Sequence, residues 1–349
     1  MAAPGEFVPT STSWTSAERG WVLGFAHDDT TARPVLLSTE DGGARWTRRN
    51  APDITVSPIS AQVRVHLAND RDALATNGEI LHATHDGAAS WHPVELPDAR
   101  PPVRVEALAT NGASAYALVI SGAEDDRRTR LFASPVDQSR WAPVPGLAAP
   151  GVAGGSVVGV GSAAFVVIGG GGTPGRYWTT EDGSDWREAD PPCAEPEMAT
   201  WLALVPGDRA VPSAVFAVCA YRAELPPGQS HKDLRRSTGG GPFELLGRAP
   251  TTGIARGLAV PAPDTALVAS VGGGFAFLFR TTDGGRTWDT VLRQEPPEFL
   301  DLAFQDTTHG VVFRGSGTGS HGAVLRTTDG GVSWRELSFG EARPATARP

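Results

Sequence analysis

The sequence predicts an all-β chain folded as a single seven-bladed β-propeller of four-stranded antiparallel blades. Three observations carry this reading: a short phrase recurs, its copies are evenly spaced, and each interval divides into four short strands. The phrase is clearest as Thr281-Thr282-Asp283-Gly284-Gly285-Arg286-Thr287-Trp288 and as Thr327-Thr328-Asp329-Gly330-Gly331-Val332-Ser333-Trp334. Earlier copies run from Thr39 through Asp41 to Trp46 and from Thr84 through Asp86 to Trp91. Weaker copies follow. Thr180 to Trp186 keeps Asp182 but is one residue short, and Ser134 to Trp141 keeps Asp137 in altered spacing. Ser237 to Phe243 has lost the Asp and exchanged the Trp for Phe. The closing aromatics Trp46, Trp91, Trp141, Trp186, Phe243, Trp288 and Trp334 recur about every 48 residues, a spacing typical of propeller blades.

The last unit shows how a blade is written. Leu300, Leu302 and Phe304 alternate with their neighbours, as a strand with two different faces requires. His309 to Phe313, Ala323 to Thr327 and Ser333 to Leu337 supply three further short runs, with turn chemistry between them. No run has an amphipathic helical period. Radial repetition of such sheets leaves only short, protected strand edges. The blades fall at about residues 6–50, 58–97, 102–146, 152–190, 197–249, 254–294 and 298–339, and residues 340–349 are expected to form a flexible tail. Within the phrase, Asp-Gly and Gly-Gly supply the positive φ angles of a tight hairpin. The Asp accepts from backbone amides of its own turn, and the Trp covers the hairpin and packs between sheets. The phrase is therefore placed between the third and fourth strands. Each terminal blade is expected to be built from contiguous sequence, the ring closing by face packing.

These residues resemble the Asp-box, or BNR repeat, Ser/Thr-x-Asp-x-Gly-x-Thr-Trp. Asp41, Trp46, Asp86, Trp91, Asp182, Trp186, Asp283, Trp288, Asp329 and Trp334 take its structural positions. With Gly20-Trp21-Val22-Leu23-Gly24 as a second strand, the chain is similar to exported bacterial Asp-box propellers and to photosystem assembly-factor propellers. The likeness to sortilin-type receptors and sialidases is more distant. The resemblance implies fold but not activity, because the box is a hairpin device shared by enzymes and binders. It also implies export, so an extracytoplasmic location is expected, although Met1-Ala2-Ala3-Pro4-Gly5 carries no apolar leader.

Composition narrows the classes further. The chain has 349 residues, 40% of them hydrophobic and 20% charged, and a net charge of −9. An acidic chain without a basic stripe opposes nucleic-acid binding. There is no apolar run long enough for a membrane span. A monomer is expected. Cys193 precedes the first strand of blade five, and Cys219 ends the second, a hairpin turning near Asp208. The two cysteines therefore converge on one rim, and a bridge there constrains the unfolded chain by roughly 3 kcal/mol. The alternative is a pair of buried free thiols.

Function concentrates on loops carried by a rigid scaffold, and here the longest loops join the second and third strands. They hold His27, Asp28 and Asp29 in blade one, and Glu124, Asp125, Asp126, Arg127 and Arg128 in blade three. Blade five carries Tyr221, Arg222, Glu224, His231 and Lys232, and blade seven Ser316 to His321. These are candidate contacts for a protein or glycan partner, and the repeat hairpins should lie on the opposite face. A non-catalytic binding or assembly scaffold is the leading reading. A sialidase-like exo-glycosidase and a lectin-like module compete with it. The glycosidase needs an arginine cluster, a Tyr nucleophile with a Glu partner and an Asp acid/base. Of the three tyrosines, only Tyr221, beside Arg222 and Glu224, has suitable company. The run Gly159-Val160-Gly161 mimics a dinucleotide fingerprint, but no helix follows. The histidines lack paired spacing, so neither a metal nor a cofactor is expected. Asp28-Asp29 and Asp125-Asp126 are calcium candidates only in the sense that any acidic loop is.

Overall fold

The computed structural model describes residues 7–27, 32–55, 63–151, 154–170, 173–193, 198–207, 212–295, 299–315, 322–340 and 343–344. It is all-β, with seven antiparallel sheets arranged as a propeller. Blade five is representative. Its strands are Ala199–Ala203, Ala214–Tyr221, His231–Thr238 and Glu244–Arg248, each hydrogen-bonded to the next. The one helical turn among the described residues is the short 3-10 turn Glu124–Asp126.

Burial follows position in the blade. Second strands are enclosed by neighbouring blades on both faces, so they read as continuous apolar runs rather than alternations. Ala163–Gly170 is buried throughout, and Ser114–Ser121 is buried at all but its first residue. The outermost strands His92–Pro93 and Arg187–Ala189 are exposed.

The closing aromatic of each repeat packs against the preceding blade. Trp91 meets Trp21 edge-on at 6.4 Å, Trp186 meets Tyr116 at 5.9 Å, and Phe243 meets Tyr177 at 5.4 Å. Trp141 joins Leu74 and Leu81 of blade two, Trp288 joins Phe216 and Leu234 of blade five, and Trp334 joins Leu278 of blade six. Trp46 completes the circuit against Phe313 and Val324 of blade seven, its indole donating to the Ser338 carbonyl at 3.0 Å.

Each repeat hairpin is held by its own side chains. In blade six Thr281 Oγ1 donates to Asp283 Oδ1 at 2.8 Å and accepts from Gly285 N at 2.9 Å. Asp283 also accepts from Thr287 N at 2.9 Å and Thr287 Oγ1 at 2.6 Å. Blades two and seven repeat this through Asp86 and Asp329. In blades one and four, Asp41 and Asp182 accept from backbone amides of their own turns. The Ser90 hydroxyl holds Asp86 down to about 2, and the Thr287 hydroxyl holds Asp283 down to about 2. The first glycine of the hairpin also donates to the turn between strands one and two: Gly42 to Glu18, Gly87 to Arg71, Gly284 to Asp264 and Gly330 to Thr308, all at 2.8–2.9 Å. Those turns and the hairpins therefore share one face. The loops between strands two and three leave from the other.

Ring closure differs in one respect from closure by face packing alone. Phe7–Trp14 pairs within blade one and Arg335–Glu336 within blade seven, so both terminal blades are contiguous in sequence. However, Arg343–Pro344, in the segment expected to be a loose tail, pairs in parallel with Thr47–Arg48 and adds a fifth strand to blade one. Arg326 of blade seven reinforces the seam. It is buried, lies over the Trp14 ring at 5.0 Å, and donates to the carbonyls of Gly42 and Ala17. Arg280 makes the equivalent bond one blade earlier, to the Gly330 carbonyl at 2.8 Å.

Candidate functional site

The long-loop face gathers side chains at three places. The first is the ring of innermost strands. Asp301 has a φ of +50° at an irregularity in the strand Phe299–Phe304, which turns its carboxylate toward blade one. There Oδ2 accepts from Ser11 Oγ at 2.6 Å and from Thr12 N at 3.0 Å. Ser11 Oγ in turn accepts from Val65 N of blade two at 3.1 Å. Burial pushes the Asp301 carboxyl up, against the Ser11 hydroxyl, the Arg64 charge and the Thr12 amide. Arg64 donates to the Glu106 carbonyl at 2.9 Å, and Arg104 lies 3.0 Å from the Glu106 carboxylate.

The second place is the rim of blade three. A cleft of about 350 Å³ is lined by Arg100, Arg128, Arg130, Asp98 and Asp126. Arg128 and Arg130 come from alternate positions of the strand Arg128–Pro135, so both point the same way. Arg100 arrives from the connection out of blade two, where its carbonyl accepts from Gly122 N at 2.8 Å. Asp126 lies 3.2 Å from Arg100 and 3.4 Å from Arg128, and Arg130 donates to the Asp98 carbonyl. Three guanidinium groups against two carboxylates leave this cleft suited to an acidic group. Glu124 and Asp125 are exposed on the neighbouring turn, and Arg127 is half-buried.

The third place is the rim of blade five. Cys193 and Cys219 are bonded, with Cα atoms 5.7 Å apart, as their convergence predicts. Above the bridge, Tyr221 stacks on His231 at 4.7 Å, and its hydroxyl points at Asp233 Oδ1 at 3.4 Å. Arg248 donates to the same oxygen at 3.1 Å. Burial and the Asp233 charge push the Tyr221 phenol up, the reverse of what a tyrosine nucleophile needs. His231 lies 3.1 Å from the Ala223 carbonyl, and Arg222 and Glu224 are exposed.

Lys232 does not reach this surface, which corrects its reading as a partner contact. It is 1% exposed, and its Nζ donates to the carbonyls of Ser230, Pro250, Thr252 and Gly253 at 2.8–3.2 Å. Burial pushes its pKa down to about 7. The lysine thus staples the long loop to the connection into blade six. Asp28, Asp29, the His27 side chain, Asp208 and Ser316 to His321 lie outside the described residues. Among the described residues no three of His, Cys, Asp and Glu group as metal ligands, and no helix is long and apolar enough to cross a membrane. Sequence reasoning placed Arg128 in the blade-three loop but missed Asp301, Arg100, Arg130, Asp233 and Arg248. Of these, only the run Arg127-Arg128-Thr129-Arg130 carries a local signal.

The seven sheets define a seven-bladed β-propeller with polar clefts on its loop-bearing face. Solved structures similar to the chain include "YCF48 bound to D1 peptide", at 18% identity and TM-score 0.54 over 94% of this chain and 95% of that one. An oligogalacturonate lyase from Vibrio parahaemolyticus matches at 11% identity and TM-score 0.57, over 93% and 92% of the two chains. A virginiamycin B lyase from Staphylococcus aureus matches at 10% and 0.58, over 94% and 97%. These likenesses establish the fold alone. No protein-family model and no curated protein sequence matches the chain.

Proposed function

We propose that the protein is a non-catalytic binding or assembly scaffold that takes a protein or glycan partner on its long-loop face. The observation that carries this reading is the blade-three cleft, where Arg100, Arg128 and Arg130 converge on a space open to an acidic group. Arginine is the side chain best shaped for planar, bidentate recognition of a carboxylate. The similar fold seen bound to a D1 peptide agrees with a peptide-binding role. The Cys193–Cys219 bridge supports an oxidising, extracytoplasmic setting. The threonine-to-aspartate geometry of the hairpins supports their assignment as Asp-boxes. The scaffold acts as a monomer, which sedimentation at working concentration tests.

The functional test is binding to arrays of acidic peptides and acidic glycans. Arg100→Ala/Arg128→Ala should lose the ligands that the wild type retains. Hydrolysis of a fluorogenic sialoside, abolished by Tyr221→Phe, would instead establish the glycosidase reading.

A further inference from the structure

The opposite face holds a second recess, at the one repeat whose hairpin has lost both its Asp and its Trp. Between blades four and five a groove of about 510 Å³ runs beside the hairpin Ser237 to Phe243. That volume lies within the ~300–1,000 Å³ usual for ligand sites. One wall is backbone: Gly239 and Gly240 have positive φ, and an added Cβ there would meet nothing within 4 Å. The other carries Glu181 and Asp190, both exposed. Among the described residues neither carboxylate has a hydrogen-bond or ion-pair partner, and no cation lines the groove.

The floor supplies a second polar feature. Tyr177 is only 4% exposed and lines the groove, yet its hydroxyl has no hydrogen-bond partner among the described residues. A phenol enclosed to this degree ordinarily finds one, and here its oxygen opens onto the groove. Tyr116, covered by the next blade's Trp186, has a partner: its hydroxyl accepts from Asn111 Nδ2 at 3.1 Å. Tyr177 is covered instead by the smaller Phe243.

We propose that this groove binds a basic side chain, lysine or arginine, presented on an extended protein segment. The carboxylates of Glu181 and Asp190 take the cation, the Tyr177 ring and Phe165 flank its aliphatic stem, and the Tyr177 hydroxyl bonds to the segment. Long cationic side chains carry this combination of an apolar stem and a charged head. The site is independent of the long-loop face and lies on the far side of the ring from it.

The test uses the full chain and a fluorescein-labelled peptide alternating lysine with glycine, compared with the same peptide acetylated on every lysine. Anisotropy should show the charged peptide binding about tenfold more tightly than the acetylated one, and Glu181→Gln/Asp190→Asn should lose about that factor. Tyr177→Phe keeps the ring and should lose a smaller part. Glu79→Gln/Glu95→Gln removes the same charge from exposed positions of blade two and should bind as wild type. Melting curves establish that each variant is folded. Absence of wild-type binding, equal loss in both acid variants, or full displacement by spermidine at equal amine concentration would each overturn the proposal.

Discussion

Asp301 of blade seven accepts the Ser11 hydroxyl of blade one at 2.6 Å, joining residues 290 positions apart. Ser11 passes the connection on to Val65 of blade two, so three blades are tied through two side chains. Asp301→Ala should cost about 1–3 kcal/mol, because the Ser11 hydroxyl and Thr12 amide lose a buried acceptor. Denaturant unfolding checks this. An unchanged midpoint would mean that the seam is held by packing alone.

The hairpin carboxylates make stability depend on acid. Asp86, Asp283 and Asp329 are each lowered to about 2 from an ordinary value of 3.8. A depressed carboxyl contributes stability that is present above its unfolded pKa and lost as pH falls through its folded one. Melting temperature should therefore fall between about pH 4 and pH 2, and Asp86→Asn/Asp283→Asn should flatten that fall. Asp301 works in the opposite sense, since its raised pKa contributes stability that is lost as pH rises.

Reduction of the Cys193–Cys219 bridge should lower stability by roughly 3 kcal/mol through the freed unfolded chain. Thiol titration of the unfolded, unreduced protein should find no free thiol. Two would remove the bridge and the main support for an oxidising compartment.

Lys232→Met leaves four buried carbonyls without their shared donor and should cost about 1–3 kcal/mol. Hydrogen exchange should rise first in the connection at Pro250 to Gly253, which the amine holds. The lysine's folded pKa, about 7, lies below the ordinary value of 10.5. Between those values the unfolded chain binds more protons, so this residue's contribution to stability grows as pH rises. That slope should be missing from the variant.

The sequence revealed what local chemistry decides. A threonine, an aspartate and two glycines make a hairpin wherever they fall, so the phrase gave the blades, and two converging cysteines gave the bridge. Contacts such as Asp301 to Ser11 or Arg326 to Gly42 could not be read, because neither partner has a sequence neighbour that signals the other. Lys232 was misplaced for a related reason. It looks like a loop cation until four carbonyls, three of them on another connection, are seen around it. The altered hairpin at Ser237 to Phe243 was visible as a weak copy, but the recess it opens depends on how far Phe243 reaches over Tyr177.

Because each closing aromatic rests on the blade before it, the genetic period and the mechanical unit are out of phase. A whole repeat inserted or deleted in the interior would still deliver one aromatic to one waiting sheet. Only Trp46 must reach backward past the end of the chain to find its sheet in blade seven. The ring is thus closed at a single junction, where Trp46, Arg326 and the strand Arg343–Pro344 carry contacts that every other blade receives from its sequence neighbour.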